Sequence, residues 1–200
     1  MKILFALLVF WFIIGCSPKS EKLPFLGNPT IIKNDTIYPK IADFSFINQD
    51  SLTITNSTFK DKIYVAEFMF LSCPTICPKM HVELSKVNSY FINNPNVLFL
   101  SHTIDPERDS VERLNEYSEN NKINSKKWFF VTGVKDSIYN IATKSYYATA
   151  YKDEKEPGGF VHSGGFLLVD KNKHIRGVYD GTNPKETNRL IRDIKILLKE

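Results

Sequence analysis

Two cysteines in Cys73-Pro74-Thr75-Ile76-Cys77-Pro78 form the stretch best suited to chemistry in this 200-residue chain. A thiolate attacks disulfides and binds soft metals. It forms more readily at a helix N-terminus, where unpaired N–H groups and the helix dipole favour an anion. The flanking residues predict that setting. Ile63 to Leu71 is a nearly unbroken apolar run, as in a buried parallel strand. Beyond Pro78, Leu84, Val87 and Phe91 recur at helical spacing. The thiols therefore sit where a central strand turns into a helix. With Cys77 in the first helical turn, a separation of four residues can bring both sulfurs to one side of the opening. An ordinary thiol oxidoreductase has two residues between its cysteines, and this chain has three. That spacing still permits a disulfide, and it also lets the sulfurs spread around Cu(I) or Zn(II), with a third ligand from elsewhere.

Four histidines are available. His81 follows the pair on the helix and faces either its core flank or solvent. His102 lies inside an apolar strand and reads as a hydrogen-bonded core residue, and His174 in a turn as a solvated one. His162 stands in Gly158-Gly159-Phe160-Val161-His162-Ser163-Gly164-Gly165, directly before a strand. Glycines permit unusual backbone angles and close approach, so this loop could deliver an imidazole to the sulfurs. The residues alone leave His162 open between a ligand and a loop-packing role. Asp109 with Glu112 has the form of a helix capping box, and Arg108 reads as the partner of a nearby acid.

The elements that must position these groups alternate. A β-hairpin is predicted between Ile41 and Phe59, then the central strand and helix, and a second buried strand over Val97–Ile104. A helix through about Asn120, a strand at Trp128–Gly133 and a short helix over Lys135–Lys144 follow. Residues 146–151 read as extended and 153–159 as a charged loop. A hairpin joins Phe166–Asp170 to Ile175–Tyr179, and a last helix starts near Pro184 with Asn183 as N-cap and Glu186 completing the box. This order predicts an α/β fold of thioredoxin type, a central mixed sheet flanked by helices with an N-terminal hairpin extension.

Lys2 precedes an apolar run from Ile3 to Ile14, short for a membrane span and right for a signal-peptide core. The run ends in Ile13-Ile14-Gly15-Cys16, which resembles the lipobox of bacterial lipoproteins and implies lipidation of Cys16. The expected organisation is a signal peptide over 1–15, a lipid-anchored tether over 16–40, and a folded domain over 41–200 in the cell envelope, facing the periplasm. Of three cysteines only Cys73 and Cys77 then belong to the domain, so they read as a functional pair and not a stapling framework. A net charge of +4 without a basic, aromatic-bearing stripe argues against nucleic acid as a partner.

Four motifs in order, Cys-Pro-x-x-Cys-Pro at 73–78, Asp-Pro-x-Arg-Asp at 105–109, Trp-x-Phe-x-Thr-Gly at 128–133 and a His-Ser before a Leu-x-x-Asp strand at 162–170, resemble the Sco (SenC) family. That resemblance covers Ile41 to Glu200 and implies a membrane-tethered copper chaperone that helps assemble cytochrome c oxidase. By the same resemblance Cys73, Cys77 and His162 bind copper, and Asp105 matches an acidic residue near the copper loop. The implied partners are the copper-bearing oxidase subunit and other envelope thioredoxin-like proteins or copper chaperones. Two alternatives remain. One is a thiol–disulfide oxidoreductase using the redox-active Cys73/Cys77 pair, with His162 only as a nearby base. The other is a thiol or copper redox sensor.

Overall fold

The computed structural model describes residues 22–200. The predicted signal peptide and Cys16 lie outside the described residues. Eleven strands and four α-helices follow in chain order among them: β1 (Thr30–Ile32), β2 (Asp35–Ile37), β3 (Ser45–Asn48), β4 (Thr53–Thr55), β5 (Ile63–Met69), α1 (Cys77–Tyr90), β6 (Val97–Thr103), α2 (Val111–Asn120), β7 (Trp128–Thr132), α3 (Lys135–Lys144), β8 (Ala150–Lys152), β9 (Phe160–His162), β10 (Gly165–Val169), β11 (Ile175–Asp180) and α4 (Pro184–Leu197).

Seven strands form one mixed sheet in the order β11-β10-β5-β6-β7-β3-β4. β5, β6 and β7 are parallel at its centre, and β10 and β3 flank them antiparallel. Every residue of β5 and β6 is buried, the state their unbroken apolar runs predict. The pleat sends alternate side chains to two cores. Ile63, Val65 and Met69 pack with Met80, Leu84 and Val87 of α1, Leu114 of α2 and Leu190 and Ile194 of α4. Tyr64, Ala66 and Phe68 pack on the other face with Ile138, Ile141 and Ala142 of α3 and with Phe46 and Ile54 of the β3–β4 hairpin. Fully burying such a side chain contributes about 2 kcal/mol, so the central strands are held from both sides. This is the mixed sheet flanked by helices that the sequence order predicts.

Several local expectations change. Ser110, not Asp109, is the N-cap of α2, its hydroxyl accepting from the Arg113 N–H. Asp109 is drawn into the core instead, where its carboxylate accepts from the Thr103 hydroxyl at 2.6 Å. Asn183 caps α4 as expected, but Glu186 pairs with Arg189 and completes no box. Part of the stretch read as a tether is ordered. Residues 30–37 form the β1–β2 hairpin, and residues 22–26 strap onto the sheet edge. There the Leu26 N–H donates to the Ile175 carbonyl at 2.9 Å, and Arg176 donates to the carbonyls of Leu23 and Pro24 and to Glu200.

Candidate metal centre

Cys73 lies in the turn after β5, and Cys77 is the first residue of α1. The N-cap is Ile76, with no side chain to occupy the first N–H groups of the helix, so these are free to face an anion. The Cys73 sulfur lies by the backbone of Cys77 and Thr75, which favours its thiolate, and the Thr75 hydroxyl stands 3.6 Å away. Both cysteines are free thiols.

The third group arrives from a distant segment. β8 and β9 pair antiparallel as a small two-stranded sheet, with Ala150 opposite His162. His162 is the last residue of β9 and not part of an irregular Gly-rich loop, a correction to the sequence expectation. The glycines serve the turn that precedes it: Gly158 and Gly159 both have positive φ, the region open to glycine. The His162 Nδ1 faces the Ser163 carbonyl at 3.3 Å. A carbonyl only accepts, so this contact favours the neutral tautomer with the proton on Nδ1, the one that leaves Nε2 available to a metal. That Nε2 lies 3.3 Å from the Cys77 sulfur and 4.0 Å from the Cys73 sulfur. The ring stands edge-on to Phe70, with centroids 5.8 Å apart. Among the described residues this is one group of His, Cys, Asp or Glu that could hold a metal ion, with all three donor atoms within 4.8 Å of one another.

Burial works against charge on both sulfurs. At Cys73 the nearby His162 ring and the backbone groups of Cys77 and Thr75 outweigh it, and the thiol is lowered to about 6. At Cys77 burial dominates despite a bond from the Phe70 backbone, and the charges of Cys73 and Glu67 push its thiol up further. The imidazole is nearer Cys77 yet lowers Cys73, so it is best read as serving the pair. The pair thus favours one thiolate over two, and the second forms more readily when something positive replaces its proton.

The other histidines stay apart. His81 stacks on Trp128 with ring centroids 5.4 Å apart, and burial lowers its pKa. His174 is not free in solvent: its Nδ1 donates to the Pro39 carbonyl at 2.9 Å. His102 is fully buried as expected, but it is not hydrogen-bonded. Both ring nitrogens lack partners within a cage of Phe44, Phe46, Phe68 and Tyr146, and burial lowers its pKa to about 3. Asp105 does not reach the sulfurs or the imidazole cluster; its buried carboxylate pairs with Arg108.

Sequence reading missed Glu67. It hides in the apolar run, buried at 3% exposure, accepting from the Ser101 hydroxyl at 2.6 Å. Burial raises it to about 7 against that bond. With Cys77, His81 and Tyr117 it lines a cavity of about 330 Å³ beneath the thiols. A lone acid inside a strand pattern is the one signal that could have found it.

The family model for SCO1/SenC matches residues 34–199. The chain belongs to the SCO1/SenC family. A SCO1/SenC family lipoprotein from Bacillus anthracis is similar in structure, with 28% identity and a TM-score of 0.73 over 80% of this chain and 95% of that one. BsSco, a member of the Sco family of cytochrome c oxidase assembly proteins in which a disulfide switch has been identified, gives 27% identity and a TM-score of 0.70 over 80% and 93%. ScoI from Arabidopsis thaliana, solved with copper bound, gives 24% identity and a TM-score of 0.64 over 77% and 97%, a likeness of fold. The fold is therefore the thioredoxin-like one of Sco proteins. No helix among the described residues is long and apolar enough to cross a membrane.

Proposed function

We propose that this protein is a copper-binding metallochaperone that carries copper to the copper centre of a respiratory cytochrome c oxidase, with Cys73, Cys77 and His162 as the ligands. The observation that carries the reading is the convergence of two free sulfurs and an imidazole nitrogen within 4.8 Å in a SCO1/SenC family member. Two soft sulfurs and one imidazole suit Cu(I), which accepts low coordination numbers. Zn(II) at three protein ligands needs a fourth from water or substrate, and among the described residues no carboxylate joins the trio within 4.8 Å. Copper plays the part of cargo. Its arrival displaces the proton of Cys77, and three ligands leave room for a recipient thiolate to join before the donor lets go.

Lipidation at Cys16 would hold the domain on a membrane of the cell envelope, facing the periplasm, consistent with the lipoprotein from Bacillus anthracis. A second reading, thiol–disulfide exchange by Cys73 and Cys77, is favoured by the lowered Cys73 thiol beside a protonated neighbour, the pairing of an attacking and a resolving thiol.

Copper bound per chain, measured on the reduced protein under anaerobic conditions, separates them. About one copper in the wild type, with affinity lowered at least ~10-fold in His162→Ala, is the chaperone result. Thiols proven reduced yet retaining no copper would leave only the redox pair.

A further inference from the structure

The segment 103–113 reaches both halves of the metal centre. On the thiol side, the buried Asp109 carboxylate accepts from the Leu71 N–H at 3.0 Å, two residues before Cys73. Arg113 adds bonds to the Arg108 carbonyl at 2.8 Å and the Ser72 hydroxyl at 3.5 Å. On the imidazole side, Arg108 donates through Nε to the buried Asp105 carboxylate, and through a terminal nitrogen to the Gly158 carbonyl at 3.1 Å. Its guanidinium also lies over the Phe160 ring, 5.5 Å from the centroid. Gly158 is in the turn that leads into β9, with φ +87; a Cβ there would come 2.8 Å from the Phe70 ring and 3.1 Å from Pro74 of the thiol turn. The backbone of the imidazole hairpin is therefore seated directly on the thiol turn at Gly158, and Arg108 holds the carbonyl of that residue.

Resting on the reading that Cys73, Cys77 and His162 hold copper, we infer that Arg108 is a positioning residue: by holding the Gly158 carbonyl against the Asp105 turn it sets the gap between the imidazole and the sulfurs. The job suits arginine. Its planar fork serves two acceptors at fixed angles while its face covers an aromatic ring, whereas a lysine ammonium is a single point donor on a flexible stem. Asp105 supports the fork from behind. At 2% side-chain exposure its carboxylate is held in place by the fold, a fixed acceptor for the half-exposed Arg108. Asp105 thus acts on the centre at one remove, through Arg108 and the hairpin.

The test is a cycle of full-length chains: wild type, Arg108→Ala, Arg108→Lys, His162→Ala, and Arg108→Ala with His162→Ala. Cu(I) affinity is read by competition with a chelator, and coordination by X-ray absorption. Arg108→Ala should weaken Cu(I) binding about 10-fold and Arg108→Lys by less, the scale seen when an outer partner of a metal ligand is removed. In the His162→Ala background the same change should have no further effect, because its route to copper is gone. The absorption spectrum of the loaded Arg108→Ala protein should lose the nitrogen contribution and keep both sulfurs. Removing Arg108 also strands a buried carboxylate, so if the alanine variant does not fold, the lysine variant carries the cycle. Unchanged affinity in the variant that folds, with His162→Ala weakened, overturns the role of Arg108 alone. So does a loss equally large in both backgrounds. Unchanged affinity in His162→Ala overturns Arg108's role and the three-residue reading together.

Discussion

The two thiols and the imidazole meet at one point but stand on different ground. The thiol turn grows out of β5, a strand buried on both faces, paired along its length with β6 on one side and through Tyr64–Ala66 with β10 on the other. The imidazole hangs from β8 and β9, three residues each, paired only with each other in a sheet of their own. Tyr151 on that hairpin is about half exposed, and Val161 and His162 are half-buried. The difference teaches that a site can be assembled from one fixed half and one adjustable half. Such a site binds firmly through the first and lets go through the second.

The sharpest way to break the comparison is at the ligands. Cys77→Ser should abolish copper retention on the reduced chain through a desalting step, while His162→Ala should keep a weakened fraction. Equal retention by the two variants would make the halves equivalent.

Next in size are two tests of how closed the thiol platform is. Glu67 and His102 lie on adjacent strands and opposite faces, each walled in by the core. His102 titrates near 6.5 in an unfolded chain and at about 3 when folded. Its contribution is therefore present in full above pH 6.5 and is lost as the pH falls from there toward 3, by about 5 kcal/mol in all. Urea unfolding of His102→Leu should show a correspondingly flatter acid limb than wild type. Identical acid limbs would mean that water already reaches the imidazole. Glu67 runs the other way. Its folded pKa of about 7 lies above the unfolded 4.5, so its contribution is present below pH 4.5 and lost as the pH rises through 7. Glu67→Gln keeps an acceptor for Ser101 without the charge. It should gain about 3 kcal/mol over wild type between pH 4.5 and 8. A constant difference across that range would remove Glu67 from the closed platform.

The smallest effect needs no mutation. Amide hydrogen exchange on the apo protein should be faster at Tyr151 and Val161 than anywhere in β5, because a two-stranded sheet opens locally without unfolding the core. Matched protection would tie the hairpin to the platform and dissolve the distinction.

What the sequence revealed follows the same division. The apolar runs of β5 and β6, the helical spacing of α1 and the Asn183-Pro184 start of α4 are local patterns, and the structure has those elements there. The hairpin half carries weak local signal. Strands of three residues are too short to show alternation, so Ala150–Lys152 and Phe160–His162 read as extended chain and loop. Glycines flagged the neighbourhood of His162 but not its pairing. Asp109 and Ser110 are both good caps, and only the tertiary partner Thr103 decides between them. Arg108 reaches a carbonyl fifty positions away, a contact with no trace in local composition. His102 without a partner was equally invisible, since an apolar strand says that a residue is buried and not what its polar atoms meet.

The strap at residues 22–26 fixes where the molecule is gripped. β11 runs parallel to β5, because each lies antiparallel to β10. Leu26 meets Ile175 at the beginning of β11, whereas the thiols follow the finish of β5. A strand of six residues spans about 20 Å. The chain thus enters the fold at the pole opposite the sulfurs. A handle attached upstream would leave the three donor atoms at the far end of the domain from the grip.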